Sequence, residues 1–135
     1  MVQITGIYQG EKHCELTHGP SQSMLETDAP KDNHGKGERF SPTDLVGAAL
    51  ASCMITTMAI LTEKEGLNLT NSRFIVEKIM GANPRRISDL KVVLELPKEI
   101  KNEHRPRLEE IARNCPVQKS LSTDLKVHLE IKYCL

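Results

Sequence analysis

The chain has 135 residues, a length that predicts a single domain over residues 1–135. Its 18 basic and 18 acidic residues give a formal net charge of zero, which argues against a surface for nucleic acid or anionic membrane. The two Tyr, two Phe and absent Trp predict an aliphatic core.

The N-terminal region predicts strands followed by an exposed loop. Residues 2–8 and 13–18 carry strand patterns, and residues 23–27 fit a short third strand. Residues 28–39 are polar and rich in Gly, Asn, Asp and Lys, which is typical of a loop. The opening residues lack the basic start and apolar run of a signal peptide, so we expect a cytoplasmic protein.

A long helix of about 23 residues is predicted to follow this loop. Ser41 suits the N-cap, Pro42 suits the first helical position, and Asp44 complements the positive end of the helix dipole. Gly66 supplies the stop. Thr, Ser and Asp44 interrupt the apolar run, so we do not expect a membrane span.

One stripe of this helix carries mostly small residues and is expected to let another backbone come close. Its members recur at three- and four-residue steps: Leu45, Ala48, Ala49, Ser52, Thr56 and Ala59. The pattern indicates a buried central helix that presents Cys53.

The C-terminal half predicts a hairpin, two helices and a last strand. Residues 71–80 and 87–96 alternate on either side of a turn. Residues 103–114 fit a helix, a shorter helix begins at Cys115–Pro116, and residues 125–133 alternate most clearly. The order predicts an α+β fold with antiparallel sheet laid against helices.

Two of the four cysteines have a supporting context. Cys14 and Cys134 are interpreted as incidental, whereas Cys53 and Cys115 lie on apolar faces and are either small core residues or reactive thiols. The chain has no CxxC or HxxxH motif, so we expect no metal site and no cofactor.

The two central thiols differ in their expected electrostatic surroundings. Cys115 would face the free N–H groups of Val117 and Gln118 at a helix start. Cys53 lies on the order of 15 Å inside the long helix, where the dipole no longer acts. We therefore expect that a reactive Cys53 needs a cation from elsewhere in the fold or from a second subunit.

Two separated motifs carry a resemblance to a known family. The stretch SPTDL through ALASC, which ends at Cys53, is followed 62 residues later by CPVQKSL, which starts at Cys115. From about residue 40 to the end, the chain resembles the SPTD-type branch of the OsmC/Ohr family of osmotically inducible and organic-hydroperoxide-resistance proteins. The resemblance implies an intertwined homodimer in which antiparallel sheets wrap around long central helices.

The same resemblance implies a thiol peroxidase of the stress response. In that reading Cys53 attacks an organic hydroperoxide and becomes a sulfenic acid, Cys115 condenses with it to a disulfide, and a dithiol such as a lipoyl group restores the thiols. Met54 and Met58 near Cys53 would favour a lipophilic peroxide.

The activating groups depart from the family pattern. Peroxidase members place a Glu at the position of Thr43 to hold an Arg beside the thiolate, and no Arg precedes Arg39 here. Arg39, Thr43 and Asp44 are the candidates near the helix start. The alternatives are a non-catalytic protein that senses redox state or binds a small apolar ligand, and a structural dimer with inert thiols.

Overall fold

The computed structural model describes residues 1–135 and contains two compact units, residues 1–46 and 47–135. The boundary between them falls within the long helix α1 (Pro42–Thr62). A short 3-10 turn, Glu63–Glu65, continues this helix, and Gly66 follows in the left-handed region with φ 72°. The predicted helix and its stop are confirmed.

The first unit contains a three-stranded antiparallel sheet in the order β1-β2-β3. The strands are β1 (Ile4–Gly10), β2 (His13–His18) and β3 (Met24–Asp28). The predicted loop follows β3 and contains one 3-10 turn, Lys31–Asn33. Apolar side chains of this sheet are exposed in the isolated chain: Ile4, Ile7, Tyr8, Met24 and Leu25.

A reciprocal capping box starts α1. The Asp44 backbone N–H donates to Ser41 Oγ at 3.1 Å, and the Ser41 N–H donates to an Asp44 carboxylate oxygen at 2.8 Å. Each contact satisfies a backbone donor that has no partner within the helix. The capping predicted for Ser41 is therefore present, and Asp44 contributes by hydrogen bonding as well as by charge.

The buried face of α1 differs from the predicted stripe. Leu50, Met54 and Met58 are fully buried, whereas the small residues of the stripe are largely exposed in the isolated chain. The helix is apolar around most of its circumference, so periodicity alone does not select a face. The larger side chains are buried because they remove more apolar area from water.

The second unit contains a mixed sheet in the order β4-β5-β6. The strands β4 (Arg73–Gly81) and β5 (Arg86–Leu96) form the predicted hairpin, and β6 (Lys126–Tyr133) completes the sheet. Because β6 pairs with β5 in parallel, the prediction of a purely antiparallel arrangement is wrong for this pair. The physical reason is the long connection between them, which crosses over instead of turning back.

Two helices form that connection, α2 (Arg105–Arg113) and α3 (Pro116–Ser120). The Arg105 guanidinium carbon lies 4.1 Å from the centre of the Tyr133 ring on β6, a cation–π contact. Arg107 donates to the Leu61 carbonyl at 3.1 Å, near the end of α1. The crossover is therefore tied to β6 and to α1, and the predicted order of helices is confirmed.

The core of the second unit lies between its sheet and its helices. Alternate residues of β5 are buried: Leu90, Val92, Leu94 and Leu96. A Cβ on Gly47 would lie 3.1 Å from Val76 Cγ1 and 3.4 Å from Leu90 Cδ2, so α1 approaches the sheet closely at this residue. The predicted α+β class and aliphatic core are confirmed.

The composition of α1 does not by itself exclude a membrane span. Residues Pro42–Glu65 are long and apolar enough to cross a bilayer by length and composition alone, despite the Thr, Ser and Asp44 within them. The core helix of a soluble protein has the same properties, and the buried residues of α1 include Leu50, Met54 and Met58. The chain is compatible with a soluble protein.

Candidate functional site

Cys53 lies in the middle of α1 and is partly exposed. Its sulfur lies 3.8 Å from the hydroxyl oxygen of Thr57, one helical turn further along the chain. The spacing of four residues places the two side chains on the same face of the helix. Cys53 is thus a thiol that has a polar neighbour on its own helix and remains accessible in part.

Cys115 is fully buried and forms the N-cap of α3. Its backbone is extended, with φ −64° and ψ 157°, and Pro116 occupies the first helical position. Its carbonyl accepts the N–H of Lys119 at 3.0 Å, the bond that closes the turn of α3. The junction between α2 and α3 therefore fixes the direction of the Cys115 backbone.

The structure couples these two cysteines electrostatically. Both are free thiols, and each is among the groups that shift the pKa of the other. Burial raises the pKa of Cys53, but hydrogen bonds from the Val117 N–H, Thr57 and Cys115 outweigh it, so this pKa lies below its ordinary value. Cys53 is therefore the thiol that ionises first.

The partner thiol shifts in the opposite direction. Burial raises the pKa of Cys115, a hydrogen bond from the Gln118 N–H offsets this in part, and the neighbouring Cys53 raises it further. A Cys115 that stays protonated can donate a hydrogen bond to an ionised Cys53. Each thiol thus favours a different protonation state, and the arrangement suits one nucleophile and one protonated partner.

The prediction that the free N–H groups at the start of α3 act on Cys115 and not on Cys53 is wrong. The sequence predicts that the Val117 and Gln118 N–H groups face Cys115 and that none reaches Cys53, whereas the Val117 N–H lowers the pKa of Cys53 as well. The position of Cys53 within α1 did not reveal this contact because the donor belongs to a different helix. The groups that lower its pKa are a backbone amide, a hydroxyl and a thiol, all of them neutral.

The three candidate activating residues belong to the first unit, and their role stays a prediction. Arg39 donates to Glu26 Oε2 at 3.0 Å and to the Glu38 carbonyl at 3.0 Å. The hydroxyls of Thr43 and Ser41 lie 3.1 Å apart. Asp44 accepts the Ser41 N–H, as described above. The sequence does not predict a partner for Arg39, and Glu26 supplies one from β3.

A histidine is held between two carboxylates in the same unit. His13 Nδ1 lies 2.6 Å from Asp28 Oδ1, and His13 Nε2 lies 3.2 Å from Glu26 Oε1. The hydrogen bond with Asp28 raises the pKa of His13, with a smaller contribution from Glu26. The same contact lowers the pKa of Asp28, which is 3% exposed. The alternation of residues within β2 and β3 does not predict this cluster, because the register between the two strands determines which residues lie opposite each other.

Met54 and Met58 do not provide an accessible apolar surface. Both are fully buried in the core of the second unit. Because neither methionine is exposed, the structure does not support the prediction that they favour a lipophilic peroxide. A cavity of about 580 Å³ in this unit is lined by Ile75, Lys91, His128 and other sheet residues, and neither Cys53 nor Cys115 lines it.

Comparisons with known proteins agree with this fold. The family model for OsmC-like proteins matches residues 35–130. A solved structure from Psychrobacter arcticus 273-4, named for an osmotic stress induced and detoxification response, is 35% identical, with a TM-score of 0.92, over 97% of this chain and 96% of that one. None of the proteins with curated descriptions matches this chain.

More distant solved structures share the fold. An organic hydroperoxide resistance protein OsmC from Legionella pneumophila is 17% identical, with a TM-score of 0.74, over 98% of this chain and 96% of that one. The organic hydroperoxide resistance protein OhrB of Bacillus subtilis is 18% identical, with a TM-score of 0.71, over 98% of each chain. From the matched model and the 35% identical structure, the chain belongs to the family of OsmC-like proteins.

Proposed function

We propose that this protein is a thiol peroxidase that reduces organic hydroperoxides, with Cys53 as the nucleophile and Cys115 as the resolving thiol. The observation that carries the proposal is the opposite shift of two interacting thiols: the pKa of Cys53 is lowered and that of Cys115 is raised. Relatives of the same fold are named organic hydroperoxide resistance proteins, which supports this choice of substrate class.

The proposed cycle uses each thiol once. The Cys53 thiolate attacks one peroxide oxygen, the O–O bond breaks, and the alkoxide that leaves takes up a proton to become an alcohol. Cys53 is then a sulfenic acid. The Cys115 sulfur displaces its oxygen as water and forms a disulfide, and a dithiol reductant, for example of lipoyl type, returns both residues to thiols by exchange.

We further propose that the protein is a cytoplasmic homodimer that forms one OsmC-like domain per chain. The small residues Ala49, Ser52 and Ala59 on α1 are exposed in the isolated chain. Ile60 nearby is 70% exposed. A face of small and apolar residues suits close packing against the same helix of a second copy. Apolar side chains on β1 and β3 would gain further burial in such an assembly.

Stopped-flow consumption of cumene hydroperoxide tests the proposed activity. The wild-type protein, Cys53→Ser and the matched control Cys134→Ser are compared with a lipoyl dithiol present. Cys134 is exposed and near the chain end, so its variant is expected to keep the wild-type rate, whereas Cys53→Ser loses turnover. Equal slow rates in all three proteins would reject a Cys53 peroxidase.

A second candidate function is redox sensing on the same thiol pair without turnover. The observation that favours it is the neutral character of the groups that lower the Cys53 pKa, because a neutral donor stabilises a thiolate less than a cation does. A sensor would form the Cys53–Cys115 disulfide with one equivalent of peroxide and would not cycle with the dithiol. Product counts per protein chain distinguish the two functions.

A further inference from the structure

Thr57 differs from two other threonines of α1 in the direction of its hydroxyl group. Thr56 donates to the Ser52 carbonyl at 2.9 Å, and Thr62 donates to the Met58 carbonyl at 2.7 Å. Both make the contact to a preceding turn that helical threonines commonly make. The hydroxyl of Thr57 instead lies 3.8 Å from the Cys53 sulfur.

The direction of that hydrogen bond depends on the state of the sulfur. While Cys53 is a thiol, either atom can act as the donor. Once Cys53 loses its proton it can only accept, and the Thr57 hydroxyl can only donate. A donor aimed at a charged acceptor makes a stronger hydrogen bond than one aimed at a neutral acceptor. The contact therefore favours the ionised sulfur.

The surroundings of the Cys53 sulfur make its hydrogen bond with Thr57 more important for ionisation. The other titratable group at the Cys53 sulfur is Cys115, which donates from the crossover, as does the Val117 N–H. Cys53 is half-buried, so partial removal of water opposes its ionisation. Thr57 is the side-chain donor that α1 itself supplies.

We propose that Thr57 is a positioning residue that donates its hydroxyl proton to the Cys53 sulfur, stabilises the thiolate and holds it toward the crossover. The effect of Thr57 on the acidity of Cys53 does not depend on the proposed function. Only the resulting effect on the reaction of Cys53 with peroxide rests on it. The hydroxyl contributes through Cys53 and has no separate contact with substrate. A hydroxyl one helical turn from Cys53 thus supplies part of the thiolate stabilisation that was expected from a cation.

The test compares Thr57→Val with the matched variant Thr56→Val. Valine keeps the shape of threonine and removes the hydroxyl in both. The pH profile of Cys53 alkylation by iodoacetamide, followed by mass spectrometry of the Cys53 peptide, gives the thiol pKa in the full-length protein. We expect Thr57→Val to raise this pKa by about one unit, and Thr56→Val to leave it unchanged.

A second measurement separates the hydroxyl from the side-chain volume. Thr57→Ser keeps the donor and is expected to retain a profile near that of the wild type. At a pH below both pKa values, Thr57→Val should exchange with a small disulfide at a rate roughly threefold lower. The thiolate fraction falls about tenfold, and the higher nucleophilicity of the more basic thiolate offsets only about threefold of this loss. Circular dichroism of all variants verifies that α1 is retained, and Thr57→Ala replaces Thr57→Val if valine disturbs the helix.

The outcomes distinguish this inference from the proposed function. If Thr57→Val and Thr56→Val have the same pH profile, or if Thr57→Ser shifts as far as Thr57→Val, the role of the Thr57 hydroxyl is rejected. If the pKa shifts as expected while the wild-type protein consumes no cumene hydroperoxide, the positioning role stands and the peroxidase proposal fails.

Discussion

The thiols of Cys53 and Cys115 shift each other's pKa, although the two residues are 62 positions apart in the sequence. One thiol lies on the long helix and the other at the start of a short helix in the crossover between β5 and β6. The pKa of Cys115 is raised, mainly by burial, whereas hydrogen-bond donors lower the pKa of Cys53 despite its partial burial. The order in which they ionise follows from burial and from which sulfur receives the donors.

Removing the Cys115 thiol is expected to change both acidity and turnover. Cys115→Ala deletes a donor to Cys53, so the Cys53 pKa should rise. Peroxide consumption should stop near one equivalent per chain, because the sulfenic acid has no resolving partner. Trapping with dimedone and mass spectrometry detects this species on Cys53. Continued turnover at the wild-type rate would contradict the resolving role of Cys115.

Adjacent residues of β5 should differ sharply in their contribution to stability. Leu94 is fully buried and Val93 is only partly buried on the opposite face of the strand. Leu94→Ala should lower the free energy of unfolding by about 2–5 kcal/mol, since it removes buried methyl groups and leaves a cavity. Val93→Ala should cost less than about 1 kcal/mol. Urea unfolding of both variants measures the difference, and similar costs would place the core on the wrong face.

The His13 cluster predicts a pH window of stability. The pKa of His13 is raised mainly by Asp28, so its contribution is complete below about pH 6.5 and is lost as pH rises through the folded-state value. The pKa of Asp28 is lowered mainly by His13, so its contribution is present above about pH 4 and is lost as pH falls through the folded-state value. The stability difference between wild type and His13→Gln should therefore shrink above pH 6.5.

Urea unfolding from pH 5 to pH 9 checks this window, with Asp28→Asn and the double variant to complete a mutant cycle. Because the two residues share a contact of 2.6 Å, the double variant should lose less than the sum of the single losses. A difference between wild type and His13→Gln that is constant across the range would show that the histidine charge does not contribute.

A charged residue on the exposed stripe of α1 should disrupt the proposed dimer. Ala49→Glu places a carboxylate among small residues that we propose to face a second copy, where burial of an unpaired charge is costly. Lys64→Glu, which changes an exposed residue in the turn after the helix, serves as the control. Analytical ultracentrifugation should show monomer for Ala49→Glu and dimer for the control. Dimers of both variants would place the interface elsewhere.

Much of the fold could be predicted because its signals are local. Pro116 after Cys115 marked the start of α3, and alternation from Val127 to Tyr133 marked β6. The direction of β6 was missed, since alternation is the same in a parallel and an antiparallel strand. The buried face of α1 was also predicted wrongly, because apolar residues lie around most of the helix. Ile60 and Leu61 are exposed while Met54 and Met58 are buried.

The catalytic roles of the two thiols stay a prediction, and the neighbouring groups that shift the Cys53 pKa were not all predicted. The paired motifs around Cys53 and Cys115 indicated that the two residues belong together, and each thiol shifts the pKa of the other. The Thr57 hydroxyl was not predicted although it lies at helical spacing from Cys53, because a neutral threonine has no charge that marks it as a thiolate partner in the sequence. The Val117 amide belongs to the main chain and has no signature in residue type.

The crossover location of Cys115 has a consequence for the lifetime of the protein. A covalent bond to Cys53 would enclose a loop of about 62 residues and, by the chain-entropy estimate, restrict the denatured ensemble by about 4 kcal/mol. The oxidised chain would then open less often and offer fewer sites to proteases than the reduced chain. Oxidant exposure would in this way set the abundance of the protein as well as its redox state, with no change in its synthesis.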